Sequence, residues 1–184
     1  MKINNNDFYK MIAPRPTVCV STISDKGNSN IAPYSFATPL SFSPPLLGIA
    51  VGEGKDTIVN ARQTKDFVVA PLTKNWSEKG VQTEISLPRE KSEFKKIGLT
   101  EADSKKVKSP SIAEASINIE CEYEDEFKTG DHFLLVGKVV YMSVDEDSIK
   151  NDRINLERLG TIGHITGEEF CISSETVQIE RQKS

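Results

Sequence analysis

Between Gly52 and Thr57 the chain reads Gly-Glu-Gly-Lys-Asp-Thr, placing two glycines, a cation and a hydroxyl within six residues. Flexible glycines let a backbone approach a ligand closely, and free N–H groups at a following helix start favour an anion. The sequence is neither of the familiar phosphate loops. A Walker loop needs glycine where Ile49 stands and Ser or Thr where Asp56 stands, and a dinucleotide fingerprint needs glycine at Thr57. An anion site built from the glycines, Lys55 and Thr57 at a capped helix start fits these residues, and so does a plain strand-to-helix turn with Asp56 as cap and Lys55 in solvent. A second cluster runs from Asn30 to Ser41, where Tyr34, Ser35, Phe36, Thr38 and Ser41 mix hydroxyls with aromatics between Pro33 and Pro39. It can lay hydroxyls and main-chain N–H groups along a planar heterocycle, or form an edge strand with a polar outer face.

The two histidines, His132 and His164, show neither an HExxH pattern nor paired Cys/His spacing, so no metal is expected. A Ser41, His132, Asp131 hydrolase has no support from spacing and lacks a GxSxG elbow. His132, directly after Gly130-Asp131, is either a polar group over a pocket or a turn histidine satisfied by backbone.

The elements that position these residues are mainly strands. Residues 17–24 are β-branched and lead into the turn Asp25-Lys26-Gly27-Asn28, 46–51 form a continuous apolar run suited to a strand buried on both faces, and 67–72 end at Pro71. Ile117, Ile119, Cys121 and Tyr123 alternate with Asn118, Glu120, Glu122 and Glu124, which predicts a half-buried antiparallel strand. Its hairpin partner follows over 132–144 after a turn at 128–131. Helices are expected from Thr57 to Thr64 and from Glu93 to Ile97, the latter inside a charged excursion over about 87–108 that reads as a lid or a subunit contact. Lys105-Lys106-Val107-Lys108 reads as a solvated loop.

All 184 residues fit one domain. With 37% hydrophobic and 27% charged residues the chain is an ordinary globular one, and a net charge of -4 argues against a nucleic-acid partner. Cys19, Cys121 and Cys171 form no CxxC pair and are expected to be reduced. A polar N-terminus and apolar stretches too short to span a bilayer give the expectation of a soluble, cytoplasmic protein without a membrane partner.

Taken in order, Ala13-Pro14-Arg15-Pro16, Asn30 through Phe36, Ser41-Phe42-Ser43-Pro44-Pro45, Gly52 through Thr57 and Gly130-Asp131-His132 resemble the flavin reductase-like family of FMN-binding split barrels, its flavoredoxin-type members above all. The resemblance spans roughly residues 10–170. It implies a mainly β fold with a few short helices, a six-stranded Greek-key split barrel forming a homodimer that binds FMN near the subunit interface. It further implies reduction of flavin by NAD(P)H, or alternatively a carrier that holds FMN for electron transfer with a protein partner. By the same resemblance Ser35, Phe36 and Thr38 line the isoalloxazine and ribityl chain, and Ser41 lies near the phosphate. Gly52, Lys55, Asp56 and Thr57 form the phosphate turn, Arg15 is a cation at the barrel entrance, and His132 stands near the nicotinamide or flavin face. Thr38 occupies a place where many relatives carry Asn, exchanging an amide for a hydroxyl. Leu159 to Ile165 replaces the double glycine and aromatic common in relatives, at the level of Arg158 and His164.

Overall fold

The structure, a computed structural model, describes residues 4–182. Seven strands form one antiparallel sheet: β1 (Val18–Ile23), β2 (Ser29–Tyr34), β3 (Ala37–Phe42), β4 (Pro45–Gly52), β5 (Asp66–Pro71), β6 (Ile117–Thr129) and β7 (His132–Val144). Their order across the sheet is β2-β1-β5-β6-β7-β4-β3. The two edge strands, β2 and β3, are joined by Ser35 and Phe36 alone, so the sheet must curl until its edges meet. The Ala50 N–H donates to the Phe36 carbonyl at 2.9 Å, extending the β3–β4 ladder one residue into the linker. The result is a mainly β split barrel with short helices. It counts seven strands rather than six because the run from Ser29 to Phe42 is interrupted at Ser35–Phe36.

Two apolar cores lie on opposite faces of β1 and β5. Val18, Val20, Phe67 and Val69 point into the barrel with Ile49, Val51, Cys121 and Leu135. Their alternate neighbours Cys19 and Ala70 point outward, beneath Ile31, Leu72, Trp76, Phe94 and Ile112. β1 and β5 are therefore the strands buried on both faces, which their β-branched runs require. The 46–51 run lies instead in β4, where Ile49 and Val51 are buried and Leu46 and Leu47 are half-buried.

Helix α1 (Asp56–Thr64) follows β4 and lays Ile58 and Ala61 into the barrel core. The stretch from α2 (Ser77–Gln82) through α3 (Glu93–Ile97) to Ala115 builds the second core. The excursion is thus cladding fixed to the barrel rather than a detached flap. Its polar anchors explain why the outer face of β6 is not wholly solvent-facing as its alternation predicts. Glu120 is 1% exposed and accepts from the Lys105 and Lys106 N–H groups at 2.8 and 2.6 Å. Asp66 accepts likewise from the Lys108 and Ser109 N–H groups at 3.1 and 2.9 Å. The basic loop is held by carboxylates that bond its backbone, while its lysine side chains stay outside.

Behind the barrel seam, β8 (Thr161–Thr166) and β9 (Glu169–Ser173) form a hairpin, and α4 (Leu156–Leu159) precedes it. Arg15 and Pro16 pair with His164 and Gly163 of β8, bringing the N-terminal segment onto this hairpin. No helix among the described residues is long and apolar enough to cross a membrane.

Candidate functional site

Strand register gathers the separated motifs at one end of the barrel. His132, the first residue of β7, lies opposite Gly52, the last of β4. The Glu53 N–H also reaches the Asp131 carbonyl at 3.4 Å. The Phe36 ring at the seam is 6.0 Å from the His132 ring. Phe36, Gly52 and His132 thus come together because strands β4 and β7 are hydrogen-bonded neighbours and the seam closes over them. His132 is not satisfied by backbone: its Nδ1 meets the Asp131 carboxylate at 2.7 Å, and that hydrogen bond holds the Asp131 carboxyl below its ordinary range.

The turn Gly52–Thr57 leads into α1 with Lys55, not Asp56, at the capping position. Lys55 has no side-chain acceptor to offer, so the first-turn N–H groups of the helix carry no side-chain cap, a position that favours an anion. The expected capping role of Asp56 is corrected: its carboxylate is taken up by Arg89, whose Nη1 lies 3.1 Å away. Arg89 also donates from Nη2 to Asn60 Oδ1 at 3.1 Å and remains 48% exposed, with further N–H groups to spare. Sequence reasoning missed this cation, which arrives from the excursion 33 residues beyond Asp56. Only the charge richness of that stretch hinted at it.

The Thr57 side chain turns inward. Its hydroxyl is 1% exposed, donates to Asn30 Oδ1 at 3.1 Å and accepts from the Tyr34 hydroxyl at 2.9 Å. The donor and one acceptor site of the side chain are thereby engaged inside the protein. Burial pushes the Tyr34 phenol up to about 12, which keeps it protonated and able to donate to Thr57.

Thr38 and Ser41 lie on β3, an edge strand whose outer side has no neighbouring strand. Thr38 is exposed and Ser41 half-buried, and the ladder slips between Pro39 and Ser41 where Pro39 lacks an N–H. This edge leaves main-chain donors and acceptors free beside Phe36, the arrangement a planar heterocycle needs.

Arg15 takes a place apart from the turn. Its guanidinium is 5% exposed and donates to the Tyr9 carbonyl at 2.6 Å and the Ile165 carbonyl at 3.1 Å. Nη2 also meets His164 Nδ1 at 3.1 Å, and the group lies 5.9 Å from the Phe36 ring. Because arginine only donates, His164 Nδ1 must accept, which assigns the ring proton to Nε2 and the bond to the Gly167 carbonyl at 3.1 Å. The Ser35 hydroxyl approaches the same Nδ1 at 3.3 Å. Arg15 thus braces the N-terminal segment against the hairpin, and the cations beside the start of α1 are Lys55 and Arg89. An open cavity of about 1010 Å³ adjoins Ser35 and His164, walled by Val81, Glu84 and Phe170, and neither the turn nor His132 lines it.

The chain is thus a split barrel with an uncapped helix start, two cations beside it and an exposed phenylalanine between β2 and β3. A family model described as flavin reductase like domain matches residues 11–158, and the chain belongs to that family. It is 35% identical over 181 residues to an uncharacterized protein of Halalkalibacterium halodurans, covering 92% of this chain and 87% of the relative. Nitrilotriacetate monooxygenase component B from Bacillus cereus has a similar structure, with a TM-score of 0.88, 31% identity and coverage of 97% of this chain and 98% of that one. Flavoredoxin of Desulfovibrio vulgaris shares the fold with a TM-score of 0.83 at 17% identity, over 91% of each chain.

Proposed function

We propose that this chain is an FMN-dependent oxidoreductase that accepts electrons from NAD(P)H. The observation that carries the FMN reading is the α1 turn, where unbonded N–H groups, Lys55 and Arg89 converge within register of Phe36 and His132. The residues fit the cofactor at three points. The α1 cradle suits a phosphate dianion, the free edge of β3 suits the polar rim of a ring system, and Phe36, 42% exposed, supplies an aromatic surface. Bound flavin supplies two-electron chemistry, so the protein's task is placement and field.

Lys55, Arg89 and the first-turn N–H groups hold the phosphate. The main chain from Ser35 to Thr38 supports the ring edge where negative charge accumulates on reduction, as oriented dipoles do in an oxyanion hole. His132, fixed by Asp131, covers the ring face and orients the incoming donor. Asp56 does not touch the anion in this reading. It holds Arg89 beside it, and its own negative charge is what the guanidinium neutralises. The Arg15 Nε is buried without a partner.

The second reading is an FMN carrier reduced only by a protein partner. It is separated from the first by anaerobic bleaching of the yellow protein. NADH or NADPH should bleach it within a mixing experiment, and dithionite should complete the change. Bleaching by dithionite but by neither nucleotide would remove the reductase, and bleaching by a reduced protein partner would then mark the carrier.

We also infer a homodimer working in the cytoplasm. Phe42 (98% exposed), Met142, Ile149 and Ile154 leave apolar side chains in water. The accessible surface is 11475 Å², against about 8,800 Å² for a compact monomer of 20.4 kDa, part of the excess lying in the extended segment 174–182. Light scattering should give about twice the chain mass; a monomer at micromolar concentration would contradict this.

A further inference from the structure

The excursion sends two charged side chains, Arg89 and Glu93, into opposite ends of one hydrogen-bond chain that passes behind the α1 turn. Arg89 donates to Asn60 Oδ1 at 3.1 Å, and Asn60 Nδ2 donates to Thr22 Oγ1 at 3.1 Å. The Thr22 hydroxyl donates to Asn30 Oδ1 at 3.3 Å, and Asn30 Nδ2 donates to Glu93 Oε2 at 3.1 Å. Thr57 joins at Asn30 Oδ1, as described above. Each link has a fixed direction. Arginine can only donate and the carboxylate accepts, so each asparagine amide has one orientation that satisfies both of its neighbours.

All the inner members, Thr22, Asn30, Thr57, Asn60 and Glu93, are buried. Glu93 is the costly one. It is a carboxyl 4% exposed, no cation pairs with it among the described residues, and burial raises its proton affinity. Its Oε2 also takes the Ile31 N–H at 3.4 Å. Satisfying these two donors does not by itself call for a charge, since a shorter amide or hydroxyl would serve. What Glu93 does is disfavour the flipped Asn30 amide, which would set two acceptors against each other, and a glutamine with its oxygen toward the same two donors would do so too.

We propose that Glu93 and Asn30 are positioning residues for anion recognition at α1. Glu93 fixes the Asn30 amide, and Asn30 draws the Thr57 hydroxyl inward. The first turn of α1 is thereby pitched so that its N–H groups, with Arg89, face the ligand. The inference rests on the reading that this turn holds the FMN phosphate, and it assigns to the excursion the task of discriminating phosphorylated from unphosphorylated flavin.

The test compares FMN with riboflavin, which lacks the phosphate, in the wild type and in Glu93→Gln, Glu93→Ala and Asn30→Ala. Glu93→Ala and Asn30→Ala should raise the Kd for FMN about tenfold and that for riboflavin no more than about twofold. Glu93→Gln can present one oxygen to the same two donors and should stay near wild type. In the flavin-free proteins, amide hydrogen exchange at residues 59–61, where the Val59 N–H closes the first turn onto the Lys55 carbonyl, should quicken in the two alanine variants and not in Glu93→Gln. Equal loss of FMN and riboflavin affinity, or unchanged exchange in both alanine variants, overturns the proposal. If the wild type binds FMN no tighter than riboflavin, the phosphate reading fails, and the positioning of α1 by Glu93 stands or falls on the exchange rates.

Discussion

Replacing both Lys55 and Arg89 with alanine is expected to raise the Kd for FMN about 100-fold and to leave that for riboflavin within about threefold. Each cation is partly exposed, so solvent screens it, and about tenfold per cation is a restrained expectation against the larger values of fully buried charge-assisted bonds. The two should not be interchangeable. Lys55 can be replaced by arginine with little loss because it acts as a point charge at the turn. Arg89→Lys should recover only part of the affinity, since an ammonium on a shorter reach cannot serve Asp56, Asn60 and a phosphate together. Equilibrium titration followed by flavin fluorescence measures both constants. Because the interaction is electrostatic, the FMN constant should also weaken with salt and the riboflavin constant should not.

The largest expected stability effect lies at the centre of the barrel wall. A Cβ added at Gly137 would lie 2.3 Å from Phe67 Cζ and 2.8 Å from Cys121 Cβ. Phe67 is fully buried and fills the barrel interior, and Gly137 faces Leu47 and Tyr123 in the two adjoining strands, so neither ring nor backbone has room to retreat. Gly137→Ala should therefore cost about 3 kcal/mol in urea denaturation, at the upper end of the overpacking range. Phe67→Leu alone should cost about 1 kcal/mol through lost packing, and combining it with Gly137→Ala should return part of the alanine penalty. Strict additivity of the two would show that the ring is not what excludes the methyl group.

The central strands of the sheet were legible in the sequence because their signals are local, while the hairpin of β8 and β9 was not marked. The alternation from Ile117 to Tyr123 and the turn before His132 specify a hairpin without reference to any other part of the chain. What lies on the outer face was not. Asn118 and Glu120 occupy the polar phase of that alternation yet are buried, because residues 104–115 return to cover them and bond to their oxygens. Periodicity records which residues share a face, not what later covers it.

The site was legible in part for the same reason. Gly52, Lys55, Phe36 and His132 were each marked by their own short motif, and sheet register brings Gly52, Phe36 and His132 together. Arg89 was not marked, since a single arginine in a charged stretch carries no pattern until the chain folds it against Asp56. Arg15 was assigned by resemblance to the family, and Thr57 by the same resemblance and by its hydroxyl. A hydroxyl or guanidinium can serve the interior as readily as a ligand, and only the partners of Thr57 at Asn30 and Tyr34, and of Arg15 at Tyr9 and His164, decide which.

The central claim is that the α1 turn recognises a flavin phosphate. Titration of the flavin-free wild type with FMN and then with riboflavin under identical salt addresses it most directly. FMN should bind at least about 100-fold tighter, the amount the two cations supply. Equal affinities for the two flavins, or no saturable binding of either, would contradict it.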